Sequence, residues 1–322
     1  MPIAGPMSGT PEWYAMRQYD PDRTPSVVIG ASEASAACGV CPYQTTLDLY
    51  LKKRGEWEGD RDNDAMMIGR VFESGVLDHY DDQNGVTTSR QHPMYFCQEH
   101  PCIAATPDGM LGDRAVDAKI TSKFMLGDAD HQWGTDGTDE VPQSAQLQGQ
   151  QQCLVMEVDR VDFAVFVTDL RKFKTYTVWR NEQLIRQLID THLELVDRII
   201  YGDPPPLDLS SPTAGRALQY LHPIDPDEII ILTDGMAESW LQRAEIKKQI
   251  KALENEAETI SNMVKSEMKN ARVGVFPDGS GEISRVVVKD LMWTQEYVDS
   301  LQGKVGGVRR RGSEHLRTRE RK

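Results

Sequence analysis

Two stretches decide the fold: Thr106-Pro107-Asp108-Gly109 and Val116-Asp117-Ala118-Lys119. The first stretch ends one predicted strand and the second lies on the next; because side chains alternate along a strand, Asp117 and Lys119 share one face. A tight hairpin between the two stretches brings Asp108 beside that pair. Two carboxylates on one face form a hard oxygen site that suits Mg²⁺. A lysine there can orient a water molecule or stabilise the charge of a phosphorane-like transition state.

The surrounding pattern predicts an α/β fold with a mixed central sheet flanked by helices. Helices are predicted over residues 33–38, 46–53, 62–82, 143–156 and 182–201. Strands are predicted over residues 94–97, 103–106, 115–120, 163–168 and 174–179. Short turns separate the first three strands, which favours an antiparallel meander. In the third helix, Met66, Met67 and Phe72 have the spacing of core residues.

The sequence predicts three segments, of which residues 1–204 are the core. Gly202-Asp203-Pro204-Pro205-Pro206 breaks regular structure and marks the end of that core. Residues 205–303 form a helical extension, with an amphipathic and coiled-coil-like helix at 236–271 and a strand at 283–288. Residues 304–322 are rich in arginine and form a flexible basic tail that can follow DNA phosphates.

Composition limits the function classes. The 322-residue chain has a formal net charge of −14, which argues against a broadly basic nucleic-acid binder but leaves room for a local basic channel. Its five cysteines, an odd number, favour a reducing cytoplasm. Cys38 with Cys41, and Cys97 with Cys102, could form a zinc site, although small half-buried residues are the simpler interpretation. We expect no membrane span and no signal peptide.

Neither of the two decisive motifs is specific alone, but five blocks occur in order. They are Trp13-Tyr14-Ala15-Met16-Arg17, Ile29-Gly30-Ala31-Ser32-Glu33, Gly69-Arg70-Val71-Phe72-Glu73, Thr106-Pro107-Asp108-Gly109 with Asp117-Ala118-Lys119, and Ala145-Gln146-Leu147-Gln148. Together they resemble the YqaJ-like viral recombinase family of the PD-(D/E)XK nucleases, to which lambda exonuclease is similar. The resemblance covers roughly residues 12 to 200. One departure is Asp117-Ala118-Lys119, where the family usually has Glu-Ile-Lys or Glu-Leu-Lys.

The resemblance implies a restriction-endonuclease-like core and a set of site residues. The expected catalytic residues are Glu73, Asp108, Asp117, Lys119 and Gln146, and the expected metal ligands are Asp108, Asp117 and the Ala118 carbonyl. The expected DNA contacts are Arg17, Ser32 and Lys123. Simpler roles stay open: Glu73 and Gln146 as solvent-facing helix residues, Ser32 as a helix cap, and Lys123 as a surface charge. Gln148 and Gln150 are expected on the helix surface.

By resemblance, the chain is expected to be a Mg²⁺-dependent deoxyribonuclease, with Mn²⁺ as a substitute. The expected activity is 5′–3′ digestion of double-stranded DNA, which leaves 3′ single-stranded tails. The expected partners are double-stranded DNA, a single-strand annealing protein and further copies in a ring-shaped trimer. The alternatives are a structure-specific or nicking endonuclease and a non-catalytic DNA-binding adaptor on a decayed nuclease fold. An iron–sulfur nuclease is disfavoured, because no cysteine follows Cys153.

Overall fold

The computed structural model describes residues 2–57, 64–122, 133–211, 214–222, 227, 229–287 and 314–320. The chain divides into two compact units, Met1–Pro226 and Asp227–Lys322. Among the described residues, no helix is both long enough and apolar enough to cross a membrane. The predicted DNA contact Lys123 lies outside the described ranges.

The first unit combines short N-terminal elements with a central α/β core. Its helices are α1 (Pro11–Met16), α2 (Ala34–Ala37), α3 (Thr46–Lys53), α4 (Asp64–Asn84), α5 (Gln143–Met156), α6 (Glu182–Tyr201) and α7 (Ala214–Leu221). Its strands are β1 (Ile3–Met7), β2 (Ile29–Gly30), β3 (Pro93–Phe96), β4 (Ile103–Ala105), β5 (Gly109–Leu111), β6 (Arg114–Thr121), β7 (Arg160–Val167) and β8 (Lys172–Trp179). The helix predicted at 33–38 is a 3₁₀ turn, Ala31–Glu33, followed by α2.

The strands form two four-stranded sheets, ordered β1-β3-β4-β2 and β5-β6-β7-β8. In the second sheet β6 and β7 are parallel, whereas β5 and β8 pair antiparallel at its two edges. Helices α4 and α5 both contact β6 and β7. The predicted α/β class, with a mixed sheet flanked by helices, is therefore confirmed.

The predicted meander is wrong for its third strand. β3 and β4 pair antiparallel as expected, but β6 belongs to the other sheet. Pro107, two residues after β4 ends, has no N–H to donate to a ladder. The chain therefore leaves the first sheet at this point and forms the short strand β5, which folds back on β6 through a turn at Gly112, whose φ of +57° suits glycine.

Helices α3, α5 and α6 have the predicted bounds, and local capping explains two of them. Thr45 and Asp48 form a capping box at the start of α3, and Asn181 accepts from two backbone amides at the start of α6. Helix α4 differs from expectation in its first half, where Met67 and Phe72 are about half exposed instead of lying in the core. Its buried face begins with Val76.

The first unit continues beyond the predicted boundary at residue 204. Helix α7 follows the proline-rich segment, and its Ala217 is fully buried in an apolar cluster with Leu195 and Ile199 of α6. Tyr220 stacks on Trp57, with ring centroids 6.3 Å apart. These contacts attach the segment after the breaker to the core.

The second unit contains a long helix and a small sheet. The helix is α8 (Asp234–Met268), and the sheet has the order β11-β10-β9, formed by β9 (Val273–Val275), β10 (Gly281–Val287) and β11 (Glu314–Glu320). The prediction of a flexible tail at 304–322 needs a correction over β11, which pairs antiparallel with β10 along its whole length. A ladder of backbone hydrogen bonds fixes this stretch despite its charged composition.

We predict that His192 makes the first unit sensitive to mild acid. This side chain is fully buried, its Nε2 lies 2.8 Å from Gln151 Oε1, and burial lowers its pKa from 6.5 to about 4. Between those values the unfolded chain binds a proton that the folded chain does not, so stability falls as pH decreases from 6.5 to 4. The loss amounts to at most about 3 kcal/mol. Urea unfolding across this range should show a flatter pH dependence for His192→Gln than for the unmodified chain; parallel curves would contradict the assignment.

Candidate active site

The hairpin of β5 and β6 brings Asp108 to the middle of β6. Gly109 pairs with Val116, so Asp108 lies directly before the ladder and opposite Asp117. The Ala118 amide donates to Asp108 Oδ2 at 2.9 Å. The N–H and C=O of a strand residue point towards the same edge, so the Ala118 carbonyl also faces the Asp108 side, beyond the end of β5. The hairpin thus places two carboxylates and one backbone carbonyl together.

Asp117 is a buried carboxylate with three partners. Its side chain is 2% exposed, and its Oδ1 accepts from the Nε2 atoms of Gln148 and Gln152, each at 2.8 Å. Its Oδ2 lies 2.6 Å from Lys119 Nζ. The two glutamines are four residues apart on α5 and therefore share one helical face. These contacts compensate the cost of burying the charge and fix the direction of the carboxylate.

The predicted role for Gln146 does not fit its position. It lies two residues from Gln148, which is about 200° around the helix. Its side chain lines a separate surface cavity of about 530 Å³, together with Trp179 and Arg180. The expectation that Gln148 and Gln150 lie on the helix surface is also wrong, because Gln148 contacts Asp117 and Gln150 is fully buried.

Glu73 approaches the cluster from α4. It is half-buried and lies three and four residues before Val76 and Leu77, which pack on Val116 of β6. Residues at this spacing share one face of a helix, so Glu73 belongs to the face that meets the sheet. Burial raises the pKa of Glu73, and the Asp117 carboxylate raises it further.

The four charged groups influence one another. Burial and the carboxylates of Asp117 and Glu73 raise the pKa of Asp108 well above its usual value, although Lys119 opposes the shift. Burial alone would lower the pKa of Lys119, but Asp117 and Asp108 outweigh it and raise that pKa. The lysine is therefore an ammonium ion at neutral pH, facing carboxylates that repel one another.

This donor set fits one kind of metal. Hard oxygen ligands select Mg²⁺ or Mn²⁺ over softer ions, and a divalent cation relieves the repulsion between Asp108 and Asp117. In the described part of the chain, no three side chains of histidine, cysteine, aspartate or glutamate lie at metal-ligand spacing. The protein ligands available to a divalent metal ion are therefore two carboxylates and the Ala118 carbonyl. Water would complete the coordination, as is common for Mg²⁺.

Arg17 is linked to this site through α1. Its guanidinium lies over the Trp13 ring at 4.6 Å, and Trp13 Nε1 donates to Thr106 Oγ1 at 3.3 Å, two residues before Asp108. Arg17 also contacts Glu33 at 2.7 Å. The structure thus connects Arg17 to the Thr106–Asp108 turn through one aromatic side chain.

Glu33 and Lys53 form a buried pair that the sequence analysis did not identify as functional. Lys53 Nζ lies 2.7 Å from Glu33 Oε2 and 2.6 Å from the Val28 carbonyl oxygen. Burial favours the neutral form of Glu33, but Arg17 and Lys53 hold its pKa far below the usual value. Burial lowers the pKa of Lys53 to about 8. Glu33 therefore stays ionised and anchors Arg17.

Ser32 does not take the simpler role of a helix cap, and its predicted contact with DNA stays a prediction. It is exposed in the 3₁₀ turn, where Gly30 occupies the N-cap position instead. The amide of Gly30 donates to Glu33 Oε2 at 2.9 Å. The exposed hydroxyl of Ser32 remains available to a ligand.

Comparison with known proteins supports the sequence resemblance. Residues 12–159 match the model of the YqaJ-like viral recombinase domain. The chain is 28% identical over 252 residues to the uncharacterized protein YqaJ of Bacillus subtilis strain 168, and the match covers 76% of each chain.

Two solved structures have a weaker similarity. An alkaline exonuclease from Laribacter hongkongensis aligns with a TM-score of 0.45 and 16% identity, covering 60% of this chain and 94% of that chain. A phage-related exonuclease from Haemophilus somnus 129PT aligns with a TM-score of 0.35 and 12% identity, covering 59% and 93%. The family match over residues 12–159 contains all five sequence blocks and the Asp108–Asp117–Lys119 cluster. It is this segment of the chain that is similar to the YqaJ-like viral recombinase domain.

Proposed function

We infer that the chain is a Mg²⁺-dependent nuclease that digests double-stranded DNA from 5′ ends and leaves 3′ single-stranded tails. The observation that carries the proposal is the cluster of Asp108, Asp117 and Lys119, with Glu73 beside it, inside a domain of a viral recombinase family. The solvent-facing side of this cluster has the ligand chemistry for phosphodiester hydrolysis. A single-strand annealing protein is the partner that such tails require.

The residues of the cluster have separate roles in this proposal. Asp108, Asp117 and the Ala118 carbonyl would hold the metal, which supplies Lewis-acid activation of the phosphate and of the attacking water. Lys119 is protonated, so it serves as a hydrogen-bond donor and a positive charge beside the phosphate, and not as a general base. Gln148 and Gln152 hold Asp117 in place. Arg17, held by Glu33 and Trp13, can bind a terminal phosphate.

The proposal is tested by digesting end-labelled linear duplexes and covalently closed circles with Mg²⁺, Mn²⁺, Ca²⁺ or a chelator. We expect digestion of linear DNA with Mg²⁺ or Mn²⁺, progressive release of the 5′ label, and no cleavage with Ca²⁺ or the chelator. Rapid nicking of closed circles would favour an endonuclease. DNA binding without cleavage under any of these conditions would favour a non-catalytic adaptor.

Asp117→Asn should reduce cleavage at least about a hundredfold, because it removes a negative metal ligand from the site. Its matched control is Asp113→Asn, the same chemical change at an exposed position in the β5–β6 turn. The control should cleave at the unmodified rate. Single-turnover rates at saturating DNA measure both, and equal rates for the two variants would refute the site assignment.

Gln148→Leu should reduce turnover roughly tenfold and raise the Mg²⁺ concentration that gives half-maximal activity, because outer partners orient metal ligands. Gln146→Leu makes the same change two residues away, in the separate surface cavity, and should change neither quantity. A Mg²⁺ titration of each variant decides between the two glutamines. The reverse result, with Gln146 sensitive and Gln148 tolerant, would restore the original prediction.

Arg17→Ala should slow digestion of 5′-phosphorylated duplexes while leaving 5′-hydroxyl duplexes unchanged, since only the former present a terminal phosphate to the guanidinium. The reference is the ratio of the rates at which the unmodified chain digests the 5′-phosphorylated and the 5′-hydroxyl duplexes. Arg17→Lys should keep part of the preference, because it retains the charge but loses the bidentate geometry. An equal loss on both substrates would show that Arg17 acts only through the stability of the fold.

A further inference from the structure

Helix α8 carries an apolar seam that its own unit leaves exposed. Six apolar residues follow one another at alternating spacings of four and three: Ile246, Ile250, Leu253, Ala257, Ile260 and Val264. Ile250, Leu253 and Ile260 are each at least 50% exposed, and no described residue of α8 is buried. The 35-residue helix is about 52 Å long. Such a seam on a long helix requires a partner that covers it.

The spacing of the seam indicates another helix as that partner. A 4-3-4-3 alternation has an average period of 3.5 residues, and two helices with this period wind around each other in a left-handed coiled coil. A helix packed on a sheet or on a globular surface would instead follow the 3.6 period and a wider apolar face. Mostly polar residues surround the seam, so a two-stranded arrangement is sufficient to cover its central layers.

The charges along α8 select the identity and direction of the partner. Residues 243–251 contain Arg243, Lys247, Lys248 and Lys251 against a single acidic residue, Glu245. Residues 254–258 contain Glu254, Glu256 and Glu258 and no basic residue. A parallel pair of these helices would set like charges side by side. An antiparallel pair that crosses between residues 251 and 252 sets each basic segment beside an acidic one.

The same crossing point also aligns the central part of the seam. It places Ile250 opposite Leu253 of the second copy and Ile246 opposite Ala257, so apolar residues meet apolar residues in the four central layers, whereas Ile260 lies opposite Arg243 and Val264 opposite Ser239 at the two ends. Lys247 and Glu254 flank the seam, and in this alignment Lys247 of one helix lies beside Glu254 of the other. Lys248, the next residue, is 81% exposed and points away from the seam.

We propose that α8 pairs with α8 of a second copy of this chain in an antiparallel two-stranded coiled coil. This pairing is two-fold symmetric and joins two copies of the chain into one particle. It does not depend on the proposed nuclease activity, and it differs from the ring-shaped trimer that the family resemblance implies. The assembly unit is a dimer with a mass of twice 36.3 kDa.

Sedimentation equilibrium of the full-length chain tests the proposal with a charge exchange. Lys247→Glu and Glu254→Lys should each weaken dimerisation roughly tenfold, because each creates two like-charge contacts across the seam. The double variant should return to within about twofold of the unmodified chain. Lys248→Glu, which has the same charge change outside the seam, should leave dimerisation unaltered. Leu253→Lys should give a monomer with unchanged helical circular dichroism.

Four results would overturn the proposal. A monomer at all concentrations would show that the seam is covered within one chain or by a different protein. A trimer would indicate a parallel bundle, in which residues 247 and 254 do not meet. Failure of the double variant to recover dimerisation, or equal effects of Lys247→Glu and Lys248→Glu, would exclude the antiparallel alignment. Nuclease assays of the same variants keep this question separate from that of activity.

Discussion

The burial of the Asp117 carboxylate is the constraint on which the core of this protein depends. A carboxylate that is 2% exposed is costly unless donors surround it, and here the donors come from two different elements. Lys119 belongs to the same strand, whereas Gln148 and Gln152 come from α5. The helix can meet this requirement in only one rotation and one register against the sheet. The position of α5 is therefore set by a polar contact as much as by its apolar residues.

The same helix joins the two sheets. Between the glutamines that bind Asp117, Gln151 donates to the carbonyl oxygens of Ile29 and Ala104, which belong to parallel strands of the first sheet. One turn of α5 thus contacts the strand that carries Asp117 on one side and the strand before Glu33, the partner of Arg17, on the other. Any change that rotates α5 would disturb both the carboxylate cluster and the candidate phosphate site. Helix α5 links the two sites as a rigid element, and this link requires no conformational change.

Local rules were sufficient for most of the longer elements of the first unit, but not for their association. Helices α3 and α6 have the bounds that the sequence pattern predicts, and Asp108 and Asp117 lie together as predicted because a short hairpin leaves no alternative. The division of the strands into two sheets depends on pairing between distant segments, which periodicity does not encode. The choice of Gln146 over Gln148 failed for a related reason. Six of the fourteen residues of α5 are glutamine, so no apolar stripe fixes which face meets the sheet.

The central claim is that Asp108, Asp117 and the Ala118 carbonyl form a single divalent-metal site. The most direct measurement is anomalous scattering from crystals of the full chain soaked in Mn²⁺, compared with crystals of Asp117→Asn treated in the same way. We predict one strong peak at bonding distance from all three oxygen ligands, and its loss in the variant. A peak elsewhere in the chain, or an equal peak in both crystals, would contradict the account.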